Sequence, residues 1–295
     1  NAIGNTTSTA FNIGSGIQSL YSNNVNFNNN SIWNTEWDGI RIDVGNNVIA
    51  ADNDIDNVAR TGIFLQYGAN GQLLRNMISG AGRSGFNIAG GRDNLIQGNH
   101  VDHTGLNGVL LSYALRSTVD GNMISYTGLN GVYATNSAYT NIINNNQIHD
   151  TTQHGVAIID SAYALVDGNT IWNTGLSGVF VDPSPSAHIT GNHIYNTGSH
   201  GVTVLDSTGA LISGNFIGTD GGANNIHGDG VHLENAGSAQ VLGNQITNAK
   251  STGFNIGSGV QALNSANVTV DGNTIWNTEW DGVRMELSSG AIVRN

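Results

Sequence analysis

His200-Gly201-Val202-Thr203-Val204, followed by Leu211-Ile212-Ser213-Gly214-Asn215-Phe216-Ile217, is the segment from which the fold can be read. After Gly201 the residues alternate apolar and polar, the period of a short strand with one face buried. Leu211-Ile212 ahead of Gly-Asn makes a second strand, and Asn215-Phe216-Ile217 a third. Alternation directs Val202, Val204 and Ile217 into one core. A helix would need apolar residues at a period near 3.6 over ten or more positions, and no segment offers that.

Working outward, the same unit recurs along the chain. Asn-x-Ile/Val begins at Asn1, Asn30, Asn53, Asn76, Asn99, Asn122, Asn146, Asn169, Asn192, Asn215, Asn244 and Asn273. Most steps are 23 residues, one is 24 and three are 29. A second marker, Gly followed by aliphatic or Phe, x, aliphatic, keeps step from Gly39 through Gly62, Gly85 and Gly108 to Gly253 and Gly282. Two markers at one period define a solenoid. The fold expected is all-β: a single-stranded right-handed parallel β-helix, about 23 residues and three short strands per coil. An Asn at the same turn of every coil can hydrogen-bond its amide to the Asn one coil away, satisfying polar groups that burial would otherwise leave bare. Asn30 through Asn273 are therefore read as a structural asparagine ladder.

A longer period overlies the short one. Phe11 to Arg41 returns, with 21 of its 31 residues unchanged, as Phe254 to Arg284, an offset of 243 residues that also carries Asn1 onto Asn244. Residues 1–295 are thus expected to form one continuous β-helix, with 1–52 equivalent to 244–295. Neither end shows a capping helix or a polar closing coil. Such an array is expected to be a piece of a longer one, or to join others end to end.

Composition narrows the partners. The 295 residues carry 21 acids against nine Lys and Arg, a formal charge of −12, with no basic stripe to displace counterions from nucleic acid. No apolar run approaches the ~18 residues of a membrane span. There are no cysteines, 41 glycines and only two prolines, and charged residues make up 10% of the chain. Disordered chains are rich in charge and proline, so this one folds. An exported protein, extracellular or at the cell surface, is the expected setting.

The Gly-Val-x-Val…Gly-Asn-x-Ile pattern resembles the right-handed parallel β-helix (pectate-lyase-like) superfamily of pectate lyases, polygalacturonases, alginate epimerases, phage tailspikes and surface adhesins. That resemblance implies sugar binding on the outer face of the first strand of each coil. Polygalacturonases carry a Gly-His-Gly, and here His154-Gly155 and His200-Gly201 lack the leading Gly. Alginate epimerases carry Asp-Pro-His, and here the run is Asp182-Pro183-Ser184.

On that outer face the first position reads Asn12, Arg41, Phe64, Asn87, Leu110, Tyr133, Ala157, Phe180, Thr203, His232, Asn255 and Arg284. Phe64, Leu110, Tyr133 and Phe180 form an apolar column suited to stacking sugar or docking another chain. Trp33 and Trp37, with their copies Trp276 and Trp280, add aromatic rings in and after the third strand. Asp38-Gly39-Ile40-Arg41-Ile42-Asp43 recurs as Asp229-Gly230-Val231-His232-Leu233-Glu234 and Asp281-Gly282-Val283-Arg284-Met285-Glu286. Its bland explanation is an ordered surface ion pair. As catalytic candidates, His232 serves as base, Glu234 as its partner and Arg284, beside Glu286, as a carboxylate clamp. His154 and His200 share a column two coils apart, too far for one ion, so no metal site is assigned and no cofactor is implied. Scattered acids leave calcium as the one candidate ion.

The expected function is structural: an extracellular solenoid segment of a repetitive fibre or giant adhesin, with self-association end to end or laterally, or glycan contact, on its outer face. The alternatives are a polysaccharide lyase or C5-epimerase working on that face, and a non-catalytic carbohydrate-binding module.

Overall fold

The computed structural model describes residues 1–6, 14–137, 141–219, 225–250 and 257–295. Among them there is no helix. Thirty-six short strands form three parallel sheets of twelve, each strand pairing with the strands one coil before and one coil after it. Sheet 1 runs from Ile17–Leu20 to Val283–Glu286, sheet 2 from Asn26–Asn28 to Ile292–Arg294, and sheet 3 from Ala2–Gly4 to Thr274–Trp276. The register never slips: Ile63 pairs with Phe86, Phe86 with Val109 and Val109 with Val132.

Strict register stacks like on like. Val202, Val204 and Ile217 are fully buried, as are their counterparts Val179, Val181 and Ile194 one coil earlier. Sheet 2 contributes one inward residue per coil, such as Ile189 and Ile212. The Gly ahead of each sheet 1 strand is required by close approach. A Cβ on Gly108 would lie 2.3 Å from Ile124 Cγ2 and 2.7 Å from the Gly131 carbonyl oxygen.

The asparagine ladder runs unbroken from Asn30 to Asn273. Asn99 is representative: its Nδ2 donates to Asn122 Oδ1 at 2.9 Å and to the Leu73 carbonyl at 2.9 Å. Its Oδ1 accepts the Asn76 N–H at 2.8 Å and Asn76 Nδ2 at 3.0 Å. All four hydrogen-bonding capacities of a buried amide are used, which is what makes the site specific for Asn. A second polar column sits just before the glycines, where Asn107 Oδ1 accepts the Asn130 N–H and Asn130 Oδ1 accepts the His154 N–H. A third, of serine hydroxyls, runs through Ser137, Ser161, Ser184 and Ser207.

Corners are turned by residues at positive φ. Between Asn30 and Asn53 these are Asn34, Val44, Asn47 and Asp52; between Asn99 and Asn122 they are His103, Tyr113, Arg116 and Gly121. Asn, Asp and Gly tolerate this conformation, whereas Val and Tyr do so at a steric cost.

Two expectations about the outer column are corrected. The marker expected at Gly253 and the positions expected at Asn12 and Asn255 lie outside the described residues. The sheet 1 strands there are Ile17–Leu20 and Val260–Leu263, led by Gly16 and Gly259, and Gln18 and Gln261 occupy the column. The additional residues of a 29-residue coil are inserted ahead of the sheet 1 strand. Only the later Gly therefore keeps register with Val231–Glu234.

Candidate functional site

On sheet 1 the outward column reads Gln18, Arg41, Phe64, Asn87, Leu110, Tyr133, Ala157, Phe180, Thr203, His232, Gln261 and Arg284. Phe64, Leu110, Tyr133 and Phe180 are half-buried rather than bare, because rows only ~4.8 Å apart cover one another's flanks. Phe180 stacks on the His154 imidazole at 4.4 Å, and the Arg41 guanidinium lies 4.6 Å above Phe64. Burial holds the His154 imidazole down at about 4, and its Nδ1 accepts the Ser177 N–H at 3.2 Å, a bond only the unprotonated nitrogen can accept.

The first two copies of the thrice-repeated motif share a buried Asp that accepts a backbone N–H and meets the basic residue three positions on. In its first copy Asp38 Oδ1 accepts the Thr61 N–H, while Oδ2 meets Arg41 at 3.2 Å; Arg41 also clasps Asp43 at 2.8 and 3.0 Å. In its second copy Asp229 Oδ1 accepts the Gly257 and Ser258 N–H groups, both at 2.9 Å, and Oδ2 lies 2.9 Å from His232 Nδ1. Burial pushes the Asp229 carboxyl up, but the His200 and His232 imidazoles beside it and the Ser258 N–H outweigh that and hold it at about 2. Asp229, not Glu234, is therefore the partner of His232. Glu234 stands 4.0 Å from His232 Nε2, beyond hydrogen-bonding distance. Arg284 lies two coils from His232, about 10 Å away, with Gln261 between, and pairs with Glu286 at 3.1 Å. The catalytic set read from the sequence is thus split: His232 acquires a buried carboxylate, and Arg284 stands apart.

His200 completes this group from the preceding coil. Its ring stacks on His232 at 4.4 Å with 25° between planes, and its Nδ1 accepts the Asp229 N–H at 2.9 Å. Its 3.3 Å contact with Asp229 Oδ2 becomes a donated bond only when that nitrogen is protonated. Donor atoms of His200, Asp229 and His232 fall within 4.8 Å of one another. The two imidazoles lie with 25° between their planes, so their in-plane lone pairs diverge little. The group is a hydrogen-bonded cluster in which Asp229 Oδ2 faces His232 Nδ1, leaving His232 Nε2 on the far side of the ring.

Further along the molecule, Trp37, Arg41, Arg60, Phe64, Arg83 and Asn87 line a cavity of about 360 Å³. Arg60 stacks on Trp37 at 4.0 Å, and burial together with Arg83 pushes its pKa down. Trp33 lies over Gly4, where a Cβ would meet its ring at 2.2 Å. Trp276 is half-buried, and Trp280 is 42% exposed.

Set beside known proteins, residues 15–171, 96–228 and 177–295 match the family model described as right handed beta helix region. The chain belongs to that right-handed β-helix family. No curated protein matches it in sequence. Among solved structures, the Azotobacter vinelandii mannuronan C-5 epimerase AlgE4 A-module superposes with a TM-score of 0.65 at 14% identity, over 91% of this chain and 86% of that one. The Dettilon tailspike protein gives 0.60 at 14%, over 85% and 59%. PfbA, a surface adhesin of Streptococcus pneumoniae, gives 0.59 at 10%, over 93% and 83%. At these identities the likeness is one of fold.

Within this right-handed β-helix, sequence reasoning missed two groupings. His200 and Asp229 hold the same column, the residue before each marker Gly, one coil apart, so their contact was available from the register. Trp172 is stacked between His149 at 4.2 Å and Tyr195 at 5.9 Å on the outside of sheet 3. That pairing was also implied by the 23-residue step.

Proposed function

We propose that the chain is a side-contacting segment of an extracellular β-solenoid stalk or fibre of the adhesin kind, meeting polysaccharide or sister chains along its outer face. One observation carries this reading: every strand of all three sheets is paired in register and the asparagine ladder threads the molecule without a break. Such an object is a stiff rod whose stability comes from neighbour-on-neighbour stacking, as a spacer requires. The surface adhesin and tailspikes among its structural neighbours are consistent with that use and with an extracellular or surface setting.

A second reading, a polysaccharide lyase or C5-epimerase, is favoured by the Asp229–His232 pair. A buried carboxylate fixing Nδ1–H leaves Nε2 free to take a sugar ring proton. Incubation with polymannuronate and polygalacturonate separates the two. The stalk reading expects no time-dependent ultraviolet absorbance from unsaturated products and no change in uronate composition. Turnover abolished by His232→Ala would replace it with the enzyme reading.

A further inference from the structure

The most exposed aromatic residues lie neither on sheet 1 nor on sheet 3 but at the corner where the chain leaves sheet 1 for sheet 2. The residue after each sheet 1 strand is there Tyr21, Val44, Tyr67, Gly90 and Tyr113 in successive coils. Tyr21, Tyr67 and Tyr113 are 79%, 63% and 64% exposed, and all three hold positive φ, at 51°, 52° and 53°. Later coils fill the column with Asn136, Asp160, Pro183, Asp206, Asn235, Asn264 and Leu287; the Asn and Asp residues suit that conformation, Pro183 does not adopt it, and Leu287 holds it at 51°. A tyrosine there accepts backbone strain and gains little burial in return. Strain kept without a packing return points to a role outside the fold.

The surroundings specify the ligand. The three tyrosines recur at every second coil, about 10 Å apart along a straight rod. Tyr67 rests against Gly90, where a Cβ would come within 2.7 Å of its Cδ1, so the absent side chain seats the ring. Between Tyr67 and Tyr113, with Ala89, Gly90 and Ser112, is an open slot of about 410 Å³. Beside the tyrosines runs a parallel row of amides, Asn47 Nδ2 on Asn24 Oδ1 at 3.0 Å and Asn70 Nδ2 on Asn47 Oδ1 at 3.2 Å. Next in that row Arg116 grips Asp93 at 2.8 Å with both nitrogens, and Arg92 approaches the same carboxylate at 3.7 Å. Charge at this corner is thus largely paired, and the chain's net −12 disfavours a polyanion along its length.

We propose that Tyr21, Tyr67 and Tyr113 form a binding strip for one extended, neutral, β-linked polysaccharide chain. In a two-fold ribbon of that kind every second pyranose presents the same face, matching one ring per two coils. The apolar ring faces stack on the tyrosines, while the hydroxyls reach the amide row. This rests on the polysaccharide-contact part of the proposed function and moves the contact to a different corner.

The test is retardation in native gels cast with soluble β-1,4-glucan or glucomannan, and depletion onto cellulose and chitin, with amylose as the non-extended control. The intact chain is compared with the Tyr21→Asn/Tyr67→Asn/Tyr113→Asn variant and with Phe180→Ala. Retention on an extended β-linked glycan but not on amylose is expected. The triple variant should lose affinity at least about tenfold, while its melting temperature holds or rises because Asn suits positive φ. Binding that survives the triple variant but not Phe180→Ala overturns the strip and leaves outer-face contact standing. No retention of the intact chain on any of these neutral glycans overturns the strip as well. Retention on a different, acidic glycan in that case would keep the broader reading alive.

Discussion

At the scale of the residue, the molecule is held by stacked polar side chains as well as by its aliphatic core. Asn122 Oδ1 accepts the Asn99 N–H and Asn99 Nδ2, and its own Nδ2 donates to the Ile96 carbonyl. Asn122→Ala strands those groups in a buried site, and each buried orphan costs ~1–3 kcal/mol. The variant is expected to lose at least about 3 kcal/mol in urea unfolding, and a loss below 1 kcal/mol would contradict the ladder's energetic role. His154 gives a pH-dependent counterpart. Its folded pKa, about 4, lies below the ordinary histidine value of 6.5, so the unfolded chain binds the proton first. Stability contributed by the neutral ring is complete above pH ~6.5 and falls as pH drops toward ~4, by on the order of 3 kcal/mol. His154→Asn, which copies Asn130 in the same column, should flatten that part of the profile; an unchanged slope would show that other groups set it.

At the scale of the coil, close approach dictates glycine and register dictates everything else. Gly108→Ala drives a Cβ into the Gly131 carbonyl and Ile124, and neither a backbone oxygen nor a fully buried side chain can yield cheaply. A loss of about 2–3 kcal/mol is expected, read by thermal or urea unfolding, and tolerance of the alanine would refute the packing described. The coil was legible in the sequence because one 23-residue period places Asn, Gly and Ile/Val in fixed columns. Less legible was the direction in which a long coil spends its additional residues, which is why Gly259 rather than Gly253 leads a strand. The site was half legible. The spacing of Asp229, His232 and Glu234 could be seen, but not that Asp229 turns back to bind His232 while Glu234 stays outside bonding distance. Positive φ at Tyr21, Tyr67 and Tyr113 is a backbone property that side-chain alternation does not report.

At the scale of the molecule, in-register stacking makes length the additive quantity. Each coil advances the rod by ~4.8 Å, so the twelve strands of each sheet span roughly 55 Å. Stability is a sum of neighbour interfaces, so each further coil adds to the rod without new packing rules. Electron cryomicroscopy of the purified chain at neutral pH tests this account most directly. Straight, narrow rods or filaments with an axial repeat of ~4.8 Å are predicted. Compact, isometric particles without that repeat would contradict it.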